Sequence, residues 1–218
     1  MDDERHDPRR SVERSRLLRT SFAVITLAAL ACGRGSEAGS DTAVAGVAVT
    51  STRPEGSYPM TLKVTSSAFQ QGGSIPSQYT CEGKDSSPPL SWSGIPSNAK
   101  TIAMIVDDPD APDPAKPQRV YVHWVVFNIP AQTTSLAENA SKSGMPAGAV
   151  QGKNDWGKPE YGGPCPPVGR HRYFFKLYAL DTALTGLKDA TKAELEKAMK
   201  GHIVDSGELM GTYQKAKK

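Results

Sequence analysis

Eight consecutive residues, Val120-Tyr121-Val122-His123-Trp124-Val125-Val126-Phe127, put bulky side chains on both alternating faces of an extended chain. That is the pattern of a strand covered on both sides, and it predicts a central strand with packed layers above and below. Thr61–Thr65, Thr101–Val106 and Arg172–Leu180 are also rich in β-branched and aromatic residues and bounded by Pro, Gly, Asn or Asp, and a last strand is expected within Glu208–Gln214. One helix stands out late in the chain. Thr191-Lys192-Ala193-Glu194 forms a capping box, Leu195, Ala198 and Met199 make an apolar stripe, and Gly201 can close the end. Several strands joined by long Pro/Gly loops, with one late helix, predict a mainly β, sandwich-like domain with peripheral helix.

The N-terminal part reads differently. Met1–Thr20 is polar with six arginines, and Phe22–Ala31 is an uncharged apolar run too short to span a bilayer. This is a signal-peptide pattern, so residues 1–31 are set aside as a leader. Ala29-Leu30-Ala31-Cys32 resembles the lipobox of bacterial lipoproteins, with Ala29 where leucine is more usual; Cys32 would then be lipidated and anchor the chain to a membrane, ordinary secretion being the alternative. Residues 32–58 are Gly, Ser, Ala and Thr-rich and read as a flexible tether, leaving 59–218 as one domain. Beyond the leader the chain carries 20 basic and 18 acidic residues, which argues against a nucleic-acid partner. Cys81 and Cys165 are the remaining cysteines. In an oxidising compartment they can form one disulfide, or stay as two thiols that never meet.

Two runs carry titratable groups beside strand ends: Asp107-Asp108-Pro109-Asp110-Ala111-Pro112, leading to His123, and Gly162-Gly163-Pro164-Cys165-Pro166-Pro167-Val168-Gly169-Arg170-His171-Arg172-Tyr173. Period-two parity places His123 with Tyr121, Val125 and Phe127, and His171 with Tyr173, Phe175 and Leu177. Convergence of His123, His171, Tyr173 and an aspartate would supply imidazole and phenol donors to an anion, with a carboxylate fixing an imidazole tautomer and favouring its charged form. Taken singly, each piece has a structural explanation. A histidine in a strand is more often a core residue, Asp-Pro-Asp-Ala-Pro is a turn by composition, and Asn154-Asp155-Trp156-Gly157 reads as a turn with a packed tryptophan.

Together these motifs, with Ser87-Pro88-Pro89-Leu90-Ser91-Trp92 and Val150-Gln151-Gly152-Lys153-Asn154-Asp155, resemble the phosphatidylethanolamine-binding protein family, in its bacterial branch often labelled Raf-kinase-inhibitor-like. The resemblance covers nearly all of Met60–Lys218. It implies a large antiparallel sheet packed on a smaller one with peripheral helices, and a small surface cavity for phosphate, phosphorylated head groups or similar anions. Asp108, His123, His171 and Tyr173 would bind the ligand, with Asp110, Pro112, Gly163, Pro164, Cys165 and Pro166 shaping the rim.

The leading expectation is therefore a non-enzymatic module at the cell envelope that binds a small anionic ligand, with both histidines donating to the anion. One alternative is an interaction protein that inhibits an envelope or host enzyme. Another is Asp–His acid/base hydrolysis, for which Cys165 is the candidate nucleophile. No Gly-x-Ser-x-Gly elbow, metal-binding run or cofactor motif occurs, although two histidines with two aspartates leave a divalent metal open.

Overall fold

The computed structural model describes residues 58–216, so the expected leader, the lipidation site at Cys32 and nearly all of the tether lie outside the described residues. Its strands are β1 (Lys63–Thr65), β2 (Leu90–Ser93), β3 (Thr101–Ala111), β4 (Arg119–Pro130), β5 (Ser135–Leu136), β6 (Val150–Gly152), β7 (His171–Leu180) and β8 (Ile203–Tyr213), with one helix, α1 (Lys192–Met199), between β7 and β8. A small sheet has the order β1-β2-β5 and a large one β6-β4-β3-β7-β8, every pairing within them antiparallel. This is the expected mainly β sandwich.

The large sheet is the middle layer. One face packs Ile102, Met104, Val106, Trp124, Val126, Phe175 and Leu177 against Leu62, Val64, Leu90 and Trp92 of the small-sheet side. The other face packs Ala103, Ile105, Val125, Phe127, Tyr178 and Leu180 against Leu195 and Met199 of α1. Val122–Phe127 is buried throughout, as its two-faced pattern requires. The central position belongs to β3, however. β4 lies one place out, flanked by the three-residue β6.

Two local features depart from the sequence reading. Asp107–Asp110 is not a loop but a continuation of β3, all eleven residues of which are buried. Pro109 falls where the β3–β4 register is irregular, between Asp108 and Ala111, so no regular ladder position is assigned to it. In β4, Val106 pairs with Trp124 but Asp107 pairs with Val122, which leaves His123 as the extra residue of a β-bulge. The bulge breaks parity. Val122, Val125 and Phe127 face α1, whereas the His123 ring lies against Tyr173 on the opposite side. The expectation that His123 shares a face with Val125 and Phe127 is thus corrected. At the bulge Val122 also bonds to a loop residue, its N–H donating to Asp155 Oδ2 and its carbonyl accepting from the Asp155 N–H (both 3.0 Å).

α1 begins as expected, with Thr191 and Glu194 capping each other reciprocally. It is also tied to the sheet by charge. The carboxylate of Asp107 is wholly buried and meets Lys176 Nζ of β7 at 2.8 Å and Lys192 Nζ of α1 at 2.7 Å. Removing that carboxylate would leave two lysines buried beside each other. Asp107→Ala should lower the unfolding free energy in urea titrations by about 3–5 kcal/mol, against about 1 kcal/mol for the cap variant Thr191→Ala.

Candidate functional site

In an antiparallel sheet ordered β4-β3-β7, the end of β3 lies between the starts of β4 and β7. This order, with the bulge at His123, brings Asp108, His123, His171 and Tyr173 to one end of the large sheet, where they line a cavity of about 480 Å³. Pro112, Gly163, Cys165 and Pro166 line it too, together with Asp85, Arg119, Tyr121, Trp156 and Tyr161. Asp110 and Pro164, also expected at the rim, are not among its lining residues. The Asp110 carboxylate accepts from the Arg172 backbone N–H (2.8 Å), Nε (2.9 Å) and Nη2 (2.6 Å). Burial works against its charge, but these bonds and the guanidinium outweigh it and hold the carboxyl below the usual range.

The two histidines are wired in opposite senses. His171 Nδ1 donates to Asp108 Oδ2 at 2.7 Å and Nε2 donates to the Val168 carbonyl at 2.9 Å. Both partners accept only, so the ring carries both protons and is an imidazolium. Burial opposes that charge, yet the hydrogen bond and charge of Asp108 prevail and the pKa is raised above 6.5. Gly169, at φ +72°, makes the turn that brings the Val168 carbonyl back over the ring. The other Asp108 oxygen accepts the Asp110 N–H at 2.8 Å.

His123 Nδ1 donates to the Gly162 carbonyl at 2.7 Å, while its Nε2 has no partner among the described residues. Burial lowers its pKa, with the Gly162 carbonyl and nearby carboxylates offsetting only part of the effect. Burial thus favours the neutral form of the ring. It sits edge-on to Tyr173 and Trp156, each 5.2 Å away between ring centres. The Tyr173 hydroxyl is buried and has no hydrogen-bond partner among the described residues. Burial raises its pKa, so it stays a neutral donor. Both ring nitrogens of His171 are already engaged, by Asp108 and Val168, whereas Nε2 of His123 has no partner among the described residues.

The Gly/Pro run is clamped into the wall. Cys81 and Cys165 are joined by a disulfide across 84 residues, Cα atoms 5.4 Å apart. Beside it, the Cys81 N–H donates to the Pro164 carbonyl (3.2 Å) and the Gly163 N–H to Asp85 Oδ1 (2.6 Å). A side chain at Gly163 would overlap Asp85 and the backbone of Tyr79, so only glycine allows that approach. The disulfide also disarms Cys165 as a nucleophile. Among the described residues, no group of three or more His, Cys, Asp or Glu side chains is placed to hold a metal ion, and no helix is long and apolar enough to cross a membrane.

Sequence reasoning missed Asp85 and the placement of Trp156. Nothing in the sequence flags Asp85, because its role depends on a glycine 78 residues away. Asn154 does make the expected turn, its Oδ1 accepting the N–H groups of Trp156 and Lys158 at 3.0 Å each. Trp156, however, is 45% exposed at the cavity mouth, edge-on to Tyr121 and His123.

With this geometry in place, comparison with known proteins is decisive. The family model for phosphatidylethanolamine-binding protein matches residues 65–214. The chain belongs to the phosphatidylethanolamine-binding protein family. It is 52% identical over 149 residues to a UPF0098 protein of Methanothermobacter thermautotrophicus, covering 68% of this chain and 95% of that one. A UPF0098 protein of Chlamydia pneumoniae is 44% identical over 155 residues, covering 71% and 100%. Among solved structures, a phosphatidylethanolamine-binding protein homologue of Chlamydia trachomatis is similar at TM-score 0.65 with 44% identity, covering 71% of this chain and 98% of that one. The family member YbcL of E. coli is similar at TM-score 0.65 with 34% identity, covering 71% and 99%.

Two outcomes follow from the wiring. The His171 pKa is raised on folding, so the His171–Asp108 pair stabilises the fold fully below about pH 6.5 and is lost as pH climbs through the raised value. The His123 pKa is lowered, so His123 withdraws stability as pH falls below about 6.5. Urea midpoints measured from pH 5 to pH 9 should decline on both sides of neutrality, less steeply on the acid side in His123→Gln and on the alkaline side in His171→Gln. Separately, thiol titration of the unreduced full chain should find at most Cys32 free, and the double variant Cys81→Ser/Cys165→Ser should lose about 2–4 kcal/mol of stability.

Proposed function

We propose that the chain is a binding module whose pocket receives a small oxyanion, a phosphoryl or carboxylate group, and that it acts without catalysing a reaction. The observation that carries this reading is the Tyr173 hydroxyl, buried in the cavity wall with no partner among the described residues. A buried donor left unsatisfied costs about 1–3 kcal/mol, and a ligand oxygen would remove that cost. The neighbouring Asp108 carboxylate is neutralised by the His171 imidazolium, so it does not repel an anion as a lone carboxylate would. Arg119 and Lys158 at the mouth supply long-range attraction. Family membership supports the same site, and a disulfide in place of a Cys165 thiol disfavours the hydrolase alternative.

The finer reading is of the bacterial Raf-kinase-inhibitor-like branch, exported to the cell envelope and held there by a lipid on Cys32. A disulfide between two exposed cysteines supports an oxidising compartment. Such a location favours a ligand or partner of the envelope over a cytoplasmic kinase. Fractionation of cells with radiolabelled palmitate, comparing wild type with Cys32→Ser, tests the anchor.

The pocket is tested by calorimetric titration with inorganic phosphate and acetate. Tyr173→Phe deletes one hydroxyl without altering the packing of the ring, and should weaken the bound anion by about tenfold or more. Unchanged affinity in that variant, or no binding of either anion to wild type, would sink the proposal.

A further inference from the structure

One stretch of the cavity wall has almost no backbone bonding of its own. Residues 164–170 form neither helix nor strand. Pro164, Pro166 and Pro167 have no N–H to donate, and no hydrogen bond from the N–H of Cys165, Val168, Gly169 or Arg170 is found among the described residues. The bonds that do reach the stretch come from outside it. The Cys81 N–H donates to the Pro164 carbonyl at 3.2 Å, His171 Nε2 to the Val168 carbonyl at 2.9 Å, and the exposed Arg170 side chain reaches Ser74 and Thr212 at 3.1 and 3.3 Å. What fixes its middle is covalent, the Cys81–Cys165 disulfide. Both cysteines are exposed, within reach of a reductant in solution.

The stretch matters to the site because of what it carries. Cys165, Pro166 and Pro167 line the cavity, as does Cys81 on the other side of the bond, and the Val168 carbonyl holds the His171 ring. Resting on the oxyanion reading above, we propose that the Cys81–Cys165 disulfide is a redox gate on this pocket: the oxidised chain binds the anion, and reduction by a dithiol releases the 164–170 wall and weakens binding. Exposed disulfides are the labile ones, whereas bonds that serve stability alone resist reduction. A thiolate of the dithiol attacks one sulfur, the S–S bond breaks, and the other cysteine leaves as a thiolate and takes up a proton. The second thiol of the reductant then attacks the mixed disulfide, loses its proton and frees the first cysteine. Two electrons and two protons pass to the protein, and the dithiol ends as a disulfide. The ends of the stretch stay pinned, Gly163 by Asp85 and His171 by the pairing of β7 with β8, so reduction loosens the wall without undoing the sheet.

The test compares the full chain before and after incubation with dithiothreitol, without denaturant. Thiol titration should show the bond opening in the folded protein. Calorimetric titration with inorganic phosphate should show affinity falling by about tenfold or more, with recovery on reoxidation. Amide hydrogen exchange gives a readout that needs no ligand: the Cys81 and Gly163 N–H groups, each bonded across the joint, should exchange faster by about tenfold or more after reduction. Cys81→Ser/Cys165→Ser should bind phosphate as the reduced chain does and no longer respond to dithiothreitol; should that variant not fold, the reduced wild type decides. Unchanged phosphate affinity in the reduced protein overturns the gate. So does a bond that opens only in urea, or a reduced chain that unfolds. Failure of the oxidised chain to bind phosphate or acetate, with exchange at Gly163 still responding to reduction, sinks the oxyanion reading and leaves the redox-driven opening of the wall standing.

Discussion

A carboxylate taken out of water must be compensated where it stands, and β3 buries two in succession. Asp107 and Asp108 are adjacent in the middle strand of the large sheet, are 0% and 3% exposed, and by strand alternation face opposite layers. Each draws its compensation from a different part of the chain. Asp107 takes Lys176 and Lys192, fastening α1 to the back of the sheet. Asp108 takes His171 and the Asp110 N–H, fastening the start of β7 and the end of β3 into the cavity wall. Breaking either set leaves an unpaired buried charge, which is far more costly than losing a surface pair. The position of the site and the docking of the helix thus depend on one dipeptide.

Much of this architecture was legible in the sequence because it rests on local pattern. The two-faced run at Val120–Phe127, the alternation after His171 and the Thr191–Glu194 box each became the expected element. The short strands β2, β5 and β6 have two to four residues, too few for periodicity to register. Asp108-Pro109-Asp110 reads as a turn because its composition is that of a turn. It is strand because Asp108 and Asp110 find their partners 63 and 62 residues away, in β7. The bulge at His123 was equally hidden, since an inserted residue breaks a period of two and its stabilising contact, Asp155, comes from another loop.

The membership of the site was more legible than its wiring. Four residues named from two motifs do line one cavity, brought there by the strand order β4-β3-β7. Which of them holds a proton is not a property of motif or spacing. It depends on what each nitrogen faces, and a carbonyl 39 residues from His123 or a carboxylate 63 residues from His171 appears only in the folded chain.

That dependence makes two identical side chains do different work within one wall. His171 faces two acceptors, is charged, and spends its charge on Asp108; its role is to hold the wall and cancel a carboxylate. His123 faces one acceptor, is driven toward its neutral form by burial, and lies edge-on to Tyr173, whose hydroxyl has no partner among the described residues. With Asp108 and His171 cancelling, the floor has little net charge to offer. Long-range attraction is then left to Arg119 and Lys158, which line the cavity and are exposed. The disulfide-clamped loop and the bulge hold the two histidines in these different surroundings, so the division of work between them is fixed by the fold rather than by residue type.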